Sequence, residues 1–316
     1  QSAAQAYLDA LIKLIDQVLR DSSQQIGLLF TLNDSDFASK PGETMSLPHQ
    51  NLYDWFRLSA SKFADKQALT DAQGSVSYQQ LDAQVNLIAT SLQSSGSAPE
   101  RVLVYGKRNS AFIGAILACW KVGATAVPID SDTPIQRAEY IYQDSAADFV
   151  LINDATCDFV PSEKQILLAD ILSTHSLQAS DKNNLALQDN TRNDNQVAYL
   201  VYTSGSTGKP KGVCGTHIGL INRLQWMHSA YPFTSENNVQ ITQSGFIRTL
   251  WETFLPLLAG NHVHILASDY YQDPETFFNT LNALQVDRIV TTPTVVQSFS
   301  QYAKRANAVL PNLKYW

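Results

Sequence analysis

Ten consecutive residues, Thr203-Ser204-Gly205-Ser206-Thr207-Gly208-Lys209-Pro210-Lys211-Gly212, combine three glycines, four hydroxyl side chains and two lysines. Glycine lets a backbone take unusual dihedrals and approach a ligand closely. Hydroxyls and unpaired N–H groups can wrap phosphate oxygens, and lysine adds positive charge. A loop of this make-up can hold a polyphosphate; the plainer alternative is an exposed Gly/Ser turn. It is not a Walker loop, because Gly205 and Gly208 are too close together and Lys209 is followed by proline. A dinucleotide-type G-x-G-x-x-G is also absent.

The elements that must position this loop flank it directly. Residues 197–202 (V-A-Y-L-V-Y) are apolar and β-prone, which predicts a buried strand. Thr216 is an N-cap candidate, and the helix predicted beyond it places Leu220, Leu224 and Met227 on one face. Upstream, helices are predicted at 2–20, with Leu8, Leu11, Ile15 and Leu19 in line, and at 49–63. Ser77 and Gln80 form a capping box for a helix over 78–94 that stops at Gly96. The helix at 111–122 is almost wholly apolar and ends at Gly123, so it is expected to be buried. Thr133, Pro134 and Gln136 predict another helix start. Strands are expected at 68–70, 101–105, 124–129, 149–152, 239–242, 262–266 and 287–292. Helices are expected to about 284 after Asp273, and at 294–305; residues 173–196 read as an exposed polar loop. This alternation argues for an α/β fold with stacked, mostly parallel sheets flanked by helices.

Composition narrows the function. The chain has 316 residues, 44% of them hydrophobic, so a sizeable core is possible. Net charge is −7 with 16% charged residues, and no basic patch is dense enough to make nucleic acid the main partner. The longest apolar runs are shorter than a bilayer span, and no signal-peptide pattern opens the chain, so no membrane partner is expected. Cys119, Cys157 and Cys214 are scattered and show no metal-ligand spacing. They fit reduced thiols in a cytoplasmic protein.

The order T-S-G-S-T-G-x-P-K-G resembles the phosphate loop of the acyl-adenylate-forming superfamily. That superfamily includes acyl-CoA ligases, luciferases and the adenylation domains of nonribosomal peptide synthetases. Ser77-Tyr78-Gln79-Gln80-Leu81 resembles the first core motif, T-Y-x-E-L. Residues 120–130 resemble the second, L-K-A-G-x-A-Y-V-P-I-D, with Lys121, Gly123 and Pro128-Ile129-Asp130 matching in a structural role. Phe246-Ile247-Arg248-Thr249-Leu250-Trp251-Glu252 resembles the fourth motif, F-D-x-S-x-W-E, through Phe246, Trp251 and Glu252. Its plainer alternative is a helix start with core aromatics. The resemblance covers residues 47–316 and implies the N-terminal part of an adenylation domain. Residues 1–46 are then an upstream helix and interdomain linker, like the end of a condensation domain. The adenine-stacking motif, the Mg-ligating glutamate, the ribose-binding aspartate and the catalytic lysine are expected beyond Trp316. Residues 1–316 alone are therefore expected to be inactive.

The resemblance implies ATP-dependent activation of a small carboxylic acid as acyl-AMP. The acyl group then passes to the phosphopantetheine thiol of a carrier-protein domain. Thr203, Ser204, Gly205, Ser206, Thr207 and Gly208 would wrap the β- and γ-phosphates. Lys211 would either tie the loop down or contact phosphate. Phe246 would sit beside the acid's carboxylate, with Trp251 as a pocket wall and Val290 as a further pocket residue. His217, in the tail of the loop motif, is as compatible with structure as with function. One departure matters: Ile247 replaces the aspartate that pairs with the ammonium of α-amino acids, and Arg248 follows it. A buried ammonium without a counter-charge is costly. The acid is thus expected to lack an α-ammonium: a keto, hydroxy, aryl or dicarboxylic acid if Arg248 faces the pocket, or a plain apolar acid if it points outward. Two other readings stay open, a free-standing acyl- or aryl-CoA ligase and a non-catalytic adenylation-like binding module.

Overall fold

The computed structural model describes residues 3–20, 47, 49, 51–94, 98–174, 196–204, 209–233, 237–266 and 273–316. They belong to two units, 1–46 and 47–316. The first contributes helix α1 (Ala3–Arg20), steadied by an Asp16–Arg20 ion pair one turn apart at 2.7 Å. Leu8, Leu11, Ile15 and Leu19 are exposed on it. The expected linker at 21–46 and the helix stop at Gly96 lie outside the described residues, as does most of the polar loop.

In the second unit the chain runs through α2 (Leu52–Lys62), β1 (Gln67–Asp71), β2 (Gly74–Ser77), α3 (Tyr78–Ser94), β3 (Arg101–Gly106), α4 (Ser110–Val122), β4 (Thr125–Asp130), α5 (Ile135–Ser145), β5 (Phe149–Asn153), β6 (Gln165–Leu167), α6 (Leu168–Thr174), β7 (Val197–Thr203), β8 (Lys211–Thr216), α7 (His217–Ala230), β9 (Asn237–Gln240), α8 (Ile247–Leu258), β10 (His262–Ile265), α9 (Pro274–Ala283) and α10 (Pro293–Ala306). Two sheets result, one of six strands in the order β6-β5-β3-β4-β7-β8 and one of four in the order β2-β1-β10-β9. All pairings are parallel except the hairpins β1–β2 and β7–β8.

Strand periodicity sorts the core into layers. Val102, Val104, Ala126, Leu151 and Ala198 face one side of the six-stranded sheet. Their neighbours Leu103, Tyr105, Val127, Ile129, Val150 and Ile152 face the other, where Ala138 and Ile141 of α5 cover them. Helix α4 lies between the two sheets, touching β3 and β4 on one side and β1 on the other. That explains why it is almost wholly apolar. Its N-cap Asn109 accepts from Phe112 N–H at 3.0 Å, and Gly123 ends it in the left-handed region at φ 81°. Trp120 closes this central layer: its indole N–H donates to the Ala198 carbonyl at 2.8 Å, and its ring lies 4.5 Å from that of Phe254 on α8. A third cluster, with Val239, Phe277 and Phe299, joins the end of the four-stranded sheet to α9 and α10.

The Ser77–Gln80 capping box forms reciprocally, at 2.8 and 3.1 Å. Two local expectations are corrected, and one strand forms that was not expected. The box at Thr133 does not form: Thr133 N–H closes a turn on the Asp130 carbonyl, and extended Pro134 caps α5 without a side-chain bond. Residues 287–292 do not make a ladder strand; Arg288 forms an isolated parallel bridge with Tyr315. Residues 211–216 are a strand, β8, despite two glycines.

Candidate active site

The ten-residue stretch spans the turn of the β7–β8 hairpin. Val201 pairs with Val213, Tyr202 with Gly212 and Thr203 with Lys211, so a hydroxyl and an ammonium face each other across its mouth. Thr203, Ser204, Lys209 and Lys211 are exposed, whereas Gly205, Ser206, Thr207 and Gly208 lie outside the described residues. Helix α5 holds both strands at the base. Arg137 Nη2 donates to the Tyr202 carbonyl at 3.2 Å, Tyr140 OH to the Pro210 carbonyl at 3.3 Å, and Tyr202 OH to Asp144 Oδ2 at 2.8 Å. Burial, then the bond to Asp144, pushes the Tyr202 hydroxyl well above its ordinary value, so it stays a donor. Gly215 makes room for Tyr199: a Cβ there would sit 2.0 Å from Cζ, so the ring would have to move. His217 is buried, and its Nδ1 accepts from Leu52 N–H at 3.3 Å at the start of α2, a packing and capping role.

The second constellation is built around Thr242, which the sequence did not single out. Glu252, on α8, has a side chain only 2% exposed. Its Oε2 accepts from the N–H groups of Ile241 and Thr242 at 3.1 and 2.9 Å, and its Oε1 accepts from the Thr242 hydroxyl. Arg248, one turn earlier, approaches Oε1 at 3.4 Å and donates from Nε to Thr242 Oγ1 at 2.7 Å. Burial pushes the Glu252 carboxyl above the usual carboxylate range, and these donors oppose the rise. The Thr242 carbonyl accepts from Arg108 Nη1 at 2.6 Å and Thr249 Oγ1 at 3.0 Å. Arg108 also pairs with Asp130 at 3.6 Å, and Asp130 Oδ2 accepts from Ser244 N–H at 2.6 Å. Asp130 ends β4, so a strut runs from the six-stranded sheet to the segment 242–246. The crevice outside the carboxyl ends of parallel strands is where open α/β sheets bind ligands.

Past this strut the chain enters α8. Its N-cap, Phe246, makes no side-chain capping bond, and Phe246 and Ile247 are exposed at 60% and 38%. Trp251 lies one turn further along. Arg223 of α7 stacks on it, with the guanidinium 4.6 Å from the ring centroid. Trp251 and Val290 line one narrow cavity together with Glu252 and Arg288. Val290 also lines an open groove of about 430 Å³ with Pro293, Val296 and Trp316. Of the five expected pocket residues, the structure thus brings Trp251 and Val290 together. It places Phe246 and Ile247 at the surface start of α8, and Arg248 against Glu252. Thr242, Arg108 and Arg288 were missed; the two arginines signal themselves only as cations in a β-rich or apolar setting, and Thr242 gives no signal.

The profile of the AMP-binding enzyme family matches residues 56–316. Bacitracin synthase 1 of Bacillus licheniformis is 31% identical over 274 residues, covering 85% of this chain and 5% of that protein. Syringomycin synthase SyrB1 of Pseudomonas syringae pv. syringae is 31% identical over 272 residues, covering 85% of this chain and 43% of that protein. The chain therefore spans less than half of either relative. Among solved structures, the nonribosomal peptide synthetase FmoA3 (S1046A) superposes with a TM-score of 0.74 at 18% identity, over 95% of this chain and 32% of that one. The fatty acid AMP ligase from Legionella pneumophila superposes with a TM-score of 0.71 at 23% identity, over 84% and 49%. These two likenesses show the fold.

Proposed function

The chain belongs to the AMP-binding enzyme family, and on that premise we propose that it activates a carboxylic acid with ATP and passes the acyl group to a carrier-domain thiol in nonribosomal peptide synthesis. The acid's carboxylate oxygen attacks the α-phosphorus, the bond to the bridging oxygen breaks, and pyrophosphate leaves. The phosphopantetheine thiol of a carrier domain then displaces AMP. The observation that carries this reading is the β7–β8 hairpin. It presents the hydroxyl residues Thr203 and Ser204, with Lys211 opposite, to solvent at the end of a sheet. These groups suit a polyphosphate, whose charge grows as pyrophosphate leaves. The likeness to bacitracin and syringomycin synthases supports a carrier domain, and an upstream condensation-type domain, as partners. Among the described residues no group of three His, Cys, Asp or Glu could hold a metal, and no step here is routed through one. No described helix is long and apolar enough to cross a membrane.

The acid is read as lacking an α-ammonium. Ile247 offers no carboxylate, and Glu252 is buried and already accepts from Thr242, Ile241 and Arg248. An ammonium at the start of α8 would also meet the positive end of the helix dipole, which favours the acid's own carboxylate instead. Because Arg248 turns Nε toward Glu252 and Thr242, a dicarboxylic acid loses its partner there, and a plain apolar acid stands beside keto, hydroxy and aryl acids. The test is ATP–pyrophosphate exchange by the complete protein, pairing each α-amino acid with its keto, hydroxy and deamino analogues. Preference for an α-amino acid would sink the substrate reading. No exchange with any acid would sink activation itself.

A further inference from the structure

Beneath Trp251 and Val290 lies a cavity of about 20 Å³, lined also by Met227, Phe233, Glu252 and Arg288. Arg288 is 9% exposed. Its guanidinium sits 4.5 Å from the Phe233 ring centroid and 5.0 Å from that of Tyr315. Nη2 donates to the carbonyls of Tyr231 and Pro232. Nε and Nη1 are buried and have no acceptor among the described residues. Glu252 does not supply one, since both its oxygens already take donors from Ile241, Thr242 and Arg248. Buried donors call for acceptors. The space admits a single water-sized atom, which is too little for a carboxylate. Val290 also lines the open groove.

Resting on the reading that the acid lies along α8 from Phe246 toward Trp251, we infer that Arg288 is a specificity-determining residue that recognises one neutral oxygen, a hydroxyl or carbonyl, at the far end of the acid. Trp251 lies four residues beyond Ile247, a rise of about 6 Å along a helix axis. An acid whose carboxyl lies at Phe246 needs about 6 Å of reach to bring an oxygen to the Trp251 wall, the reach of a para-substituted aryl acid or a short ω-oxo acid. Arg248, the cation that the sequence puts forward, is held by Glu252, whereas Arg288 lines the cavity and keeps two buried donors without an acceptor among the described residues.

The test compares matched acids in pyrophosphate exchange by the complete protein: 4-hydroxybenzoate with benzoate, 5-oxohexanoate with hexanoate, and tyrosine with phenylalanine. Sites built to hydrogen-bond a substrate oxygen reject its deoxy analogue strongly. The expected result is at least a 100-fold higher kcat/KM for the oxygen-bearing member of one pair. Arg288→Met should cut that ratio below tenfold, chiefly by slowing the oxygen-bearing acid, and Arg288→Lys should restore part of it. Equal rates within every pair in the wild type would overturn the inference without any variant, so a misfolded Arg288→Met does not rescue it. Full discrimination retained by a folded Arg288→Met would overturn it as well. Discrimination in the tyrosine pair alone would support Arg288 while refuting the absence of an α-ammonium. A protein that exchanges with no acid refutes this inference together with acid activation.

Discussion

Replacing Thr242 by valine asks whether the polar hub, rather than strand pairing, holds the segment that leads into α8. Valine keeps the β-branched shape and deletes only Oγ1. In the native protein that hydroxyl donates to Glu252 and accepts from Arg248 Nε at 2.7 Å. The Arg248 side chain is 27% exposed, so water can replace its lost acceptor at little cost. Glu252 is different: its side chain is 2% exposed, and it would keep only the two backbone donors and Arg248. One lost hydrogen bond to a buried charge costs about 1.5–3 kcal/mol. At about 2 kcal/mol, local opening becomes about 30-fold more frequent. Hydrogen exchange read by mass spectrometry on a peptide spanning residues 239–246 should show the Ile241 and Thr242 amides exchanging about that much faster. Thr242→Ser, which keeps the hydroxyl, should stay within about threefold of wild type. The sign of the pH dependence follows from Glu252. Its folded pKa is raised by burial, and losing the Thr242 bond raises it further. A raised carboxyl penalises the folded state fully above the folded pKa, and the penalty fades as pH falls toward the ordinary value. The deficit of the valine variant should therefore shrink on acidification. Unchanged protection of both amides at neutral pH would refute the hub.

Lys211→Ala in the complete protein should lower kcat/KM for ATP by about tenfold or more, whereas Lys209→Ala should stay within about threefold, both read by pyrophosphate exchange. Lys211 pairs across the hairpin with Thr203, while Lys209 lies outside the ladder. Trp120→Phe removes the indole donor to the Ala198 carbonyl and part of a ring that is 1% exposed. It should destabilise by about 2–4 kcal/mol, seen as a lower thermal midpoint for the 47–316 unit. His264 has its pKa held below the ordinary value by burial. Its contribution is complete above the ordinary histidine value and is lost as pH falls through the folded one. The drop in thermal midpoint between pH 7.5 and 5.5 should be smaller in His264→Gln than in wild type.

The layered fold was legible because each element repeats one period. Residues 102–105 alternate between two buried faces, and residues 111–122 are apolar but for Lys121. Those patterns leave few places for either segment. Strand β8 was not legible, because Lys211, Gly212 and Gly215 have low strand propensity. Pairing with β7 and the close approach of Tyr199 to Gly215 decide it. The expected strand at 287–292 failed for the opposite reason: its residues suit a strand, but among the described residues it gains a bridge only with Tyr315. The loop motif was legible through its order. The hub was not, because Arg108, Asp130, Thr242 and Glu252 meet only once two sheets have packed. No spacing along the chain encodes that meeting.

The two sheets also differ in when they can be completed during synthesis. The six-stranded sheet draws its strands from one continuous stretch, β3 to β8. The four-stranded sheet joins β1, which ends at Asp71, to β10, which begins at His262. At about 5–20 residues per second, β1 waits roughly 10–40 s on the ribosome for its partner. For that interval α4 has α2, α3 and the six-stranded sheet to pack on, but Trp120 still lacks its Phe254 partner from α8, so that part of its apolar surface stays open to water, to chaperones or to a neighbouring nascent chain. Ribosome pausing placed between β2 and β10 would lengthen this exposure, whereas pausing after β10 would not. Synonymous codon changes within residues 78–261 should therefore affect soluble yield more than equal changes after residue 273.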